Sequence, residues 1–367
     1  MPLLLLLLLL LTVAPASGQR PAAAADSPRP QEPRDFPYAR LPVTFGSAAP
    51  GVELAGELTL PADSTARAAL VLISGSGPQD RNEDLGPAMN HRPFLIISDY
   101  LTRAGYAVLR YDDRGVGASG GTFAGATSAD FADDARGAVH YLRQRPELAG
   151  VAVGMLGHSE GGIVAPLATV AGAAVDFLVL LAAPGMGMDS LLLEQRRLIA
   201  GRAILPDDAV MEAAFGYVRR HPERDSAAFA SGLRDTILAT LPMLDSTVRG
   251  AITDPAAFAD AYVGQLGGAW MRYSMAYRPE EILGRVRVPV LALNGTLDTQ
   301  VAPANLAAVE RALRAGGNTD VTTALLPGLN HLLQPATTGR PGEYARIPVT
   351  VAPAALQRIT DWLGARY

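Results

Sequence analysis

The sequence predicts a doubly wound, mostly parallel α/β sheet with a helical cap inserted after the sixth strand. Three observations point to it. Short, predominantly apolar runs such as residues 68–73, 151–156 and 176–182 recur along the chain, as expected of strands buried on both faces. Segments with helical apolar spacing lie between them, at residues 93–104, 130–145 and 161–171. This is the strand–helix–strand rhythm of right-handed crossovers. Between about residues 186 and 284 the strand pattern stops, and residues 191–204, 208–219 and 225–241 carry helical spacing instead.

In chain order, residues 3–11 are an unbroken apolar run followed by the small-residue stretch Ala14-Pro15-Ala16-Ser17-Gly18. This reads as an export signal over residues 1–18, too short to span a bilayer, although no Lys or Arg precedes the run. Residues 19–37 are rich in Pro, Ala and Arg without apolar periodicity and read as a flexible, solvated leader. The core is expected over 38–185 and 286–367, with the cap over 186–285. The core opens on a strand pair, residues 43–45 and 53–60, joined by a turn at Ala49-Pro50-Gly51. After the cap, strand character returns at 286–293 and 321–326, with helices near 303–315 and 353–364.

Composition removes several chemistries. All 31 basic residues are Arg, which excludes lysine Schiff bases and lysine general bases. There is no Cys, hence no thiolate nucleophile, thiolate zinc site or disulfide. Five histidines without HExxH spacing argue against a metal site. A net charge of −5 with no basic run argues against nucleic acid. Export without disulfides fits a bacterial periplasm or exterior.

The stretch that carries chemistry is Gly157-His158-Ser159-Glu160-Gly161, which follows an apolar run and opens a small-residue helix. That is the context of a nucleophile elbow, where the serine hydroxyl is lifted clear of the sheet at a helix N-terminus. A serine hydroxyl needs a base, and the base needs an orienting acid. His331, in Pro327-Gly328-Leu329-Asn330-His331, is the only histidine after the cap. Asp298 lies between them in the order this arrangement uses, in a loop after the strand ending at Asn294-Gly295. The bland alternatives are a loop histidine and a turn-forming aspartate. His91 is left with a rim role or none, His140 sits on a helix, and His221 reads as exposed. The oxyanion donors are expected to be the amides of Glu160 and Ser76, with Gly77 as the alternative to Ser76. The polar run 79–83 either shapes the site or is an ordinary bonded loop.

Residues 115–120 (Gly-Val-Gly-Ala-Ser-Gly) fit GxGxxG, but the loop continues where a dinucleotide-binding helix would begin. The expectation is therefore no cofactor, with the glycines serving a sharp turn and Asp113 and Arg114 buried as a pair.

These pieces resemble the α/β-hydrolase superfamily, in particular its bacterial esterase and serine-aminopeptidase-like branch. The matching segments are residues 74–83, 112–117, 157–162, 295–298 and 328–331, within a resemblance running from about residue 43 to 367. The resemblance implies a Ser159–Asp298–His331 triad, oxyanion amides at Ser76 and Glu160, and no cofactor. One departure is Ser74, where many members carry His, which leaves the second oxyanion donor open. The resulting expectation is carboxylic ester hydrolysis through an acyl-enzyme on a small-molecule substrate, with no stable membrane insertion. Peptide or thioester cleavage by the same triad is the runner-up, and a silent binding protein on the same fold is the reading from another class. Six of the nine methionines fall in the cap, where they either fill its core or line an apolar site. Glu194 and Asp260 are the cap carboxylates that could meet a substrate ammonium group.

Overall fold

The computed structural model describes residues 29–63 and 65–367. The expected export signal and the first part of the leader lie outside the described residues. Eight strands form one sheet: β1 (Ala39–Gly46), β2 (Glu53–Leu60), β3 (Ala68–Ile73), β4 (Ala107–Tyr111), β5 (Ala152–His158), β6 (Phe177–Leu181), β7 (Val290–Gly295) and β8 (Val321–Leu326). Their spatial order is β1-β2-β4-β3-β5-β6-β7-β8. β2 runs antiparallel to both neighbours, with Val43 opposite Gly56 and Gly56 opposite Tyr111. From β4 to β8 every pairing is parallel. All residues of β3, β4, β6 and β7 are buried, which explains the uninterrupted apolar sequences of β3 and β6.

Helices cover both faces. In chain order the first are α1 (Gly86–Met89), α2 (Pro93–Arg103), α3 (Ser128–Arg143) and α4 (Gly161–Val170). Between β6 and β7 come α5 (Met188–Ala200), α6 (Asp208–Arg220), α7 (Ser226–Thr240), α8 (Ser246–Gly250), α9 (Pro255–Leu266), α10 (Ala269–Ala276) and α11 (Pro279–Leu283). Then α12 (Ala304–Ala315) precedes β8, and α13 (Pro353–Gly364) closes the chain. One face of the sheet packs on α3, α4 and α12 through Val139, Leu142, Val164, Val309 and Leu313. The other packs on α2 and α13 through Phe94, Leu101, Ile359 and Trp362. The helices between β6 and β7 bury their own core, with Phe215, Val218, Phe229 and Leu233 at its centre, and reach the sheet domain at Ile163 and Val301.

Three expectations change. β7 starts at Val290 rather than 286, because Pro289 has no N–H to give the ladder and contributes only its carbonyl, to Leu178 N at 2.9 Å. The described end of the leader is bonded to the core: Gln31 Oε1 accepts from Thr350 N at 2.7 Å and Val351 N at 2.9 Å, and Arg29 pairs with Asp84 at 2.8 Å. Asp113 and Arg114 are both buried but are not partners. Arg114 forks onto Asp134 at 2.7 and 2.8 Å, while Asp113 accepts from Ser74 Oγ at 3.0 Å and Gln79 N at 2.9 Å. The glycine-rich loop does turn sharply. Gly115 and Gly117 hold φ of +71° and +55°, and a Cβ on Gly117 would sit 2.5 Å from Asp112 Oδ2. After these glycines no helix begins until Ser128.

Candidate active site

The elbow is the turn from β5 into α4. Ser159 holds φ +53°, a left-handed conformation that costs an L-residue energy and survives only where its surroundings impose it. Those surroundings are tight. A Cβ on Gly157 would meet Gly161 O at 2.1 Å, and one on Gly161 would meet Ile73 O at 2.1 Å. Only glycine on both sides allows the turn, and the Ser159 amide is fixed to Leu181 O at 2.9 Å.

Asp298 follows β7 and is 2% exposed. Its Oδ1 accepts from Gln300 N and Val301 N, each at 2.8 Å, and its Oδ2 accepts from His331 Nδ1 at 2.9 Å. The two loops are aligned by backbone bonds: Thr296 N donates to Leu326 O at 3.0 Å and Leu297 N to Leu329 O at 2.9 Å. Asn330, fully buried, shapes the histidine turn by accepting from Leu332 N at 3.0 Å and Gln334 N at 2.9 Å. With Nδ1 donating to the carboxylate, a neutral His331 has its lone pair on Nε2. Nε2 has no protein partner among the described residues, and His331 and Ser159 share the wall of one cavity.

The expected oxyanion donors lie on the same wall. Ser76 and Glu160 both line the cavity, and neither amide is bonded to a protein acceptor among the described residues. The amide of Gly75, one residue earlier, is taken by Glu83 Oε1 at 3.0 Å. Ser74, at the position of the departure, spends its hydroxyl on Asp113 and so anchors the loop from beneath. Burial pushes the Asp113 carboxyl well above the usual carboxylate range, against these two donors.

The cavity measures about 260 Å³. Its apolar wall includes Met188, Leu191 and Leu192 from α5, Met271 from α10, and Leu85, Met89, Ile163 and Val301 from the sheet domain. Of the six methionines at 186–285, only Met188 and Met271 line it; Met211 and Met275 fill the helical core, and Met243 is exposed. Among the described residues, the carboxylates on its lining are Glu83, Asp84 and Glu160, and no Arg lines it. Glu194 and Asp260 do not reach it, and Asp260 pairs with Arg234 instead. His91 is buried away from the cavity between Tyr344 O and Thr350 Oγ1, each at 2.9 Å. His221 is half-buried against the Tyr217 ring rather than exposed.

Sequence reasoning passed over three side chains at the site. Trp270 of α10 donates Nε1–H to Glu160 Oε1 at 2.7 Å. His158 Nδ1 lies 2.7 Å from Glu83 Oε1, and its Nε2 lies 3.0 Å from His331 O. Glu83 was visible only as the end of the polar run 79–83, and Trp270 sits 110 positions from its partner.

Comparison with known proteins agrees with the fold. The family model described as serine aminopeptidase S33 matches residues 92–230, fewer than half of the 367. Esterase EstD of Thermotoga maritima is 29% identical over 210 residues, 52% of this chain. The chain spans about half the length of that curated relative, 48%. Among solved structures, the Pyrococcus furiosus esterase Pf2001 aligns with a TM-score of 0.52 at 15% identity, covering 91% of this chain and 95% of that one. The hypothetical protein PA2218 from Pseudomonas aeruginosa aligns with a TM-score of 0.52 at 17% identity, covering 92% and 96%. At such identities these structures speak for the fold alone. Sheet order, the elbow turn and these alignments together give this chain the α/β-hydrolase fold.

Proposed function

We propose that the chain is a serine hydrolase of carboxylic esters, with Ser159 as nucleophile, His331 as base and Asp298 as its orienting acid. One observation carries this reading: His331, held at Nδ1 by the buried Asp298, lines the same cavity as Ser159 on its strained elbow, and its Nε2 has no protein partner among the described residues. Ser159 Oγ attacks the acyl carbon while Nε2 takes its proton. The tetrahedral oxyanion is received by the Ser76 and Glu160 amides. His331 returns the proton to the leaving alkoxide, and a water activated at Nε2 then releases the acid from the acyl-enzyme. The apolar walls of the cavity suit an uncharged acyl or alcohol group of modest size.

A panel of p-nitrophenyl esters, matched thioesters and aminoacyl anilides, run beside fluorophosphonate labelling, tests the proposal. Ester turnover with the label on Ser159 is expected. Folded protein that takes no label would end the hydrolase reading, and efficient anilide cleavage without ester cleavage would replace esterase by peptidase. Against the peptidase reading, the carboxylates lining the cavity are already engaged: Asp84 pairs with Arg29 and Arg92, Glu160 accepts from Trp270 and Ser128, and Glu83 accepts from Gly75 N and lies against His158. Export to a periplasm or the exterior belongs to the same proposal. It is supported by the apolar run at 3–11, the small residues at 14–18 and the absence of Cys.

A further inference from the structure

Directly beneath the proposed triad lies a second carboxylate–histidine pair that the mechanism above does not use. Glu83 comes from the loop after β3, and His158 is the residue before the nucleophile. Glu83 Oε1 accepts from two sides, from Gly75 N at 3.0 Å and from His158 Nδ1 at 2.7 Å. On the far side of its ring, His158 Nε2 meets the carbonyl oxygen of His331 at 3.0 Å. The two imidazole rings lie 4.9 Å apart, centre to centre. One buried chain of bonds therefore runs from the oxyanion loop through Glu83 and His158 to the backbone of the triad histidine.

Both neighbours of the His158 ring are acceptors. A neutral imidazole has one N–H and would leave one of these contacts without a proton, whereas the imidazolium satisfies both. We propose that Glu83 and His158 are positioning residues held as a buried ion pair, which sets the Gly75–Ser76 oxyanion loop and the His331 backbone relative to Ser159.

Charge around the ring agrees. Burial works against a charged His158, but the Glu83 carboxylate, its hydrogen bond, the His331 carbonyl and the more distant Asp298 outweigh it, and the ring titrates above its ordinary value. The groups facing His158 are Glu83 from the β3 loop, Asp298 from the β7 loop and His331 from the β8 loop, with Glu160 on its own turn. Glu83 is also costly to keep. It holds φ +53°, and its Oε2 is buried without a protein partner.

The consequence is a pH dependence separate from that of His331. Because the folded-state value of His158 is raised, the imidazolium and its tether persist to a higher pH than an ordinary histidine would allow. The tether is lost as pH rises through that raised value. The loss would appear as an alkaline limb in kcat.

This inference rests on the hydrolase reading for its kinetic arm only, so the closing experiment has two arms. In the first, the imidazole 15N–1H signals of the five histidines are followed with pH, His158→Gln identifying one set. Both ring nitrogens of His158 are expected to be protonated near pH 7 and to titrate above the usual value of about 6.5. A neutral His158 at that pH would overturn the proposal, whether or not any substrate is found.

In the second arm, Glu83→Gln keeps the shape and removes the charge. We expect kcat to fall by about 10- to 100-fold, KM to change by less than about threefold, and the alkaline limb to move at least one pH unit toward acid. Superposable kcat profiles for the two proteins would overturn the proposal. If the variant does not fold, the titration of the natural protein decides alone. Failure of fluorophosphonate labelling would instead strike the hydrolase reading and leave the protonation result standing.

Discussion

Trp270 of α10 and Glu160 of the elbow are joined by a 2.7 Å hydrogen bond that ties the helical insertion to the residue following Ser159. The same carboxylate oxygen accepts from Ser128 Oγ of α3 at 2.6 Å. Glu160 is buried, and its amide is one of the two proposed oxyanion donors. The indole thus fixes the side chain of a residue whose backbone amide is a proposed oxyanion donor, and it also forms part of the cavity wall.

Trp270→Phe should therefore disturb substrate fit more than chemistry. The phenyl ring keeps much of the apolar wall but loses the N–H. Ser128 still holds the carboxylate, so the elbow itself should stand. The expected outcome is a KM raised several-fold with kcat changed by less than about threefold, and a stability loss of about 1 kcal/mol, the usual worth of one such bond. Steady-state kinetics on a short p-nitrophenyl ester would check this. A collapse of kcat at unchanged KM would mean that the indole acts on the oxyanion geometry instead.

Strain at Ser159 gives a prediction about stability that no contact reveals. At φ +53° an alanine carries the same left-handed penalty as serine, while glycine does not. Ser159→Ala and Ser159→Gly should both lose turnover by several orders of magnitude. In thermal unfolding the glycine variant should be the more stable of the two by about 1 kcal/mol. Equal melting temperatures would show that the turn is not strained in solution.

How far the sequence could be read follows from what each feature depends on. The apolar runs of β3, β5 and β6 were legible because burial on both faces leaves no polar position to obscure them. The elbow, Asp298 and His331 were legible because each sits in a short local motif at a strand end. Partners made by folding were not. The pairing of Arg114 with Asp134 rather than Asp113 depends on where α3 docks, and nothing in the loop itself states it. Glu83 and His158 are 75 positions apart, and each looks ordinary alone: one closes a polar run, the other fills the variable site of the elbow. The β7 boundary was misplaced because Pro289 is apolar by composition yet cannot donate to a ladder.

Asp298→Asn tests the proposed orienting role directly. The carboxylate accepts from two amides and from His331 Nδ1 at once. An asparagine that keeps its oxygen on the amides turns its NH2 toward Nδ1, which must then become the acceptor. The proton moves to Nε2, where the base is needed. The expected loss in kcat is about 10³- to 10⁴-fold near neutral pH, with the fold retained. Turnover within tenfold of the natural protein would remove Asp298 from the mechanism.

The loop that carries Glu83 is itself held by an ion pair whose pH dependence can be worked out. Arg81 forks onto Asp112, Nε to Oδ1 at 2.9 Å and an NH2 to Oδ2 at 2.6 Å, and its remaining nitrogen donates to Gly56 O at 2.8 Å. Burial alone would raise the Asp112 carboxyl. The Arg81 side chain and the amides of Arg81 and Ala118 outweigh it and hold the group below the usual carboxylate range. A carboxyl depressed in the folded state contributes stability above its unfolded value, and that contribution is lost as pH falls through the folded one. Arg81→Met removes the largest cause of the depression while leaving the stem to pack against the loop. It should cost about 3 kcal/mol near pH 7, as expected when one partner of a largely buried pair is removed. The gap to the natural protein should narrow between pH 7 and pH 3, because Asp112, freed of Arg81, takes up a proton at a higher pH in the variant than in the natural protein. Urea unfolding at the two pH values measures it. A gap that stays constant or widens in acid would show that Arg81 stabilises the loop through packing and its bond to Gly56, not through the charge on Asp112.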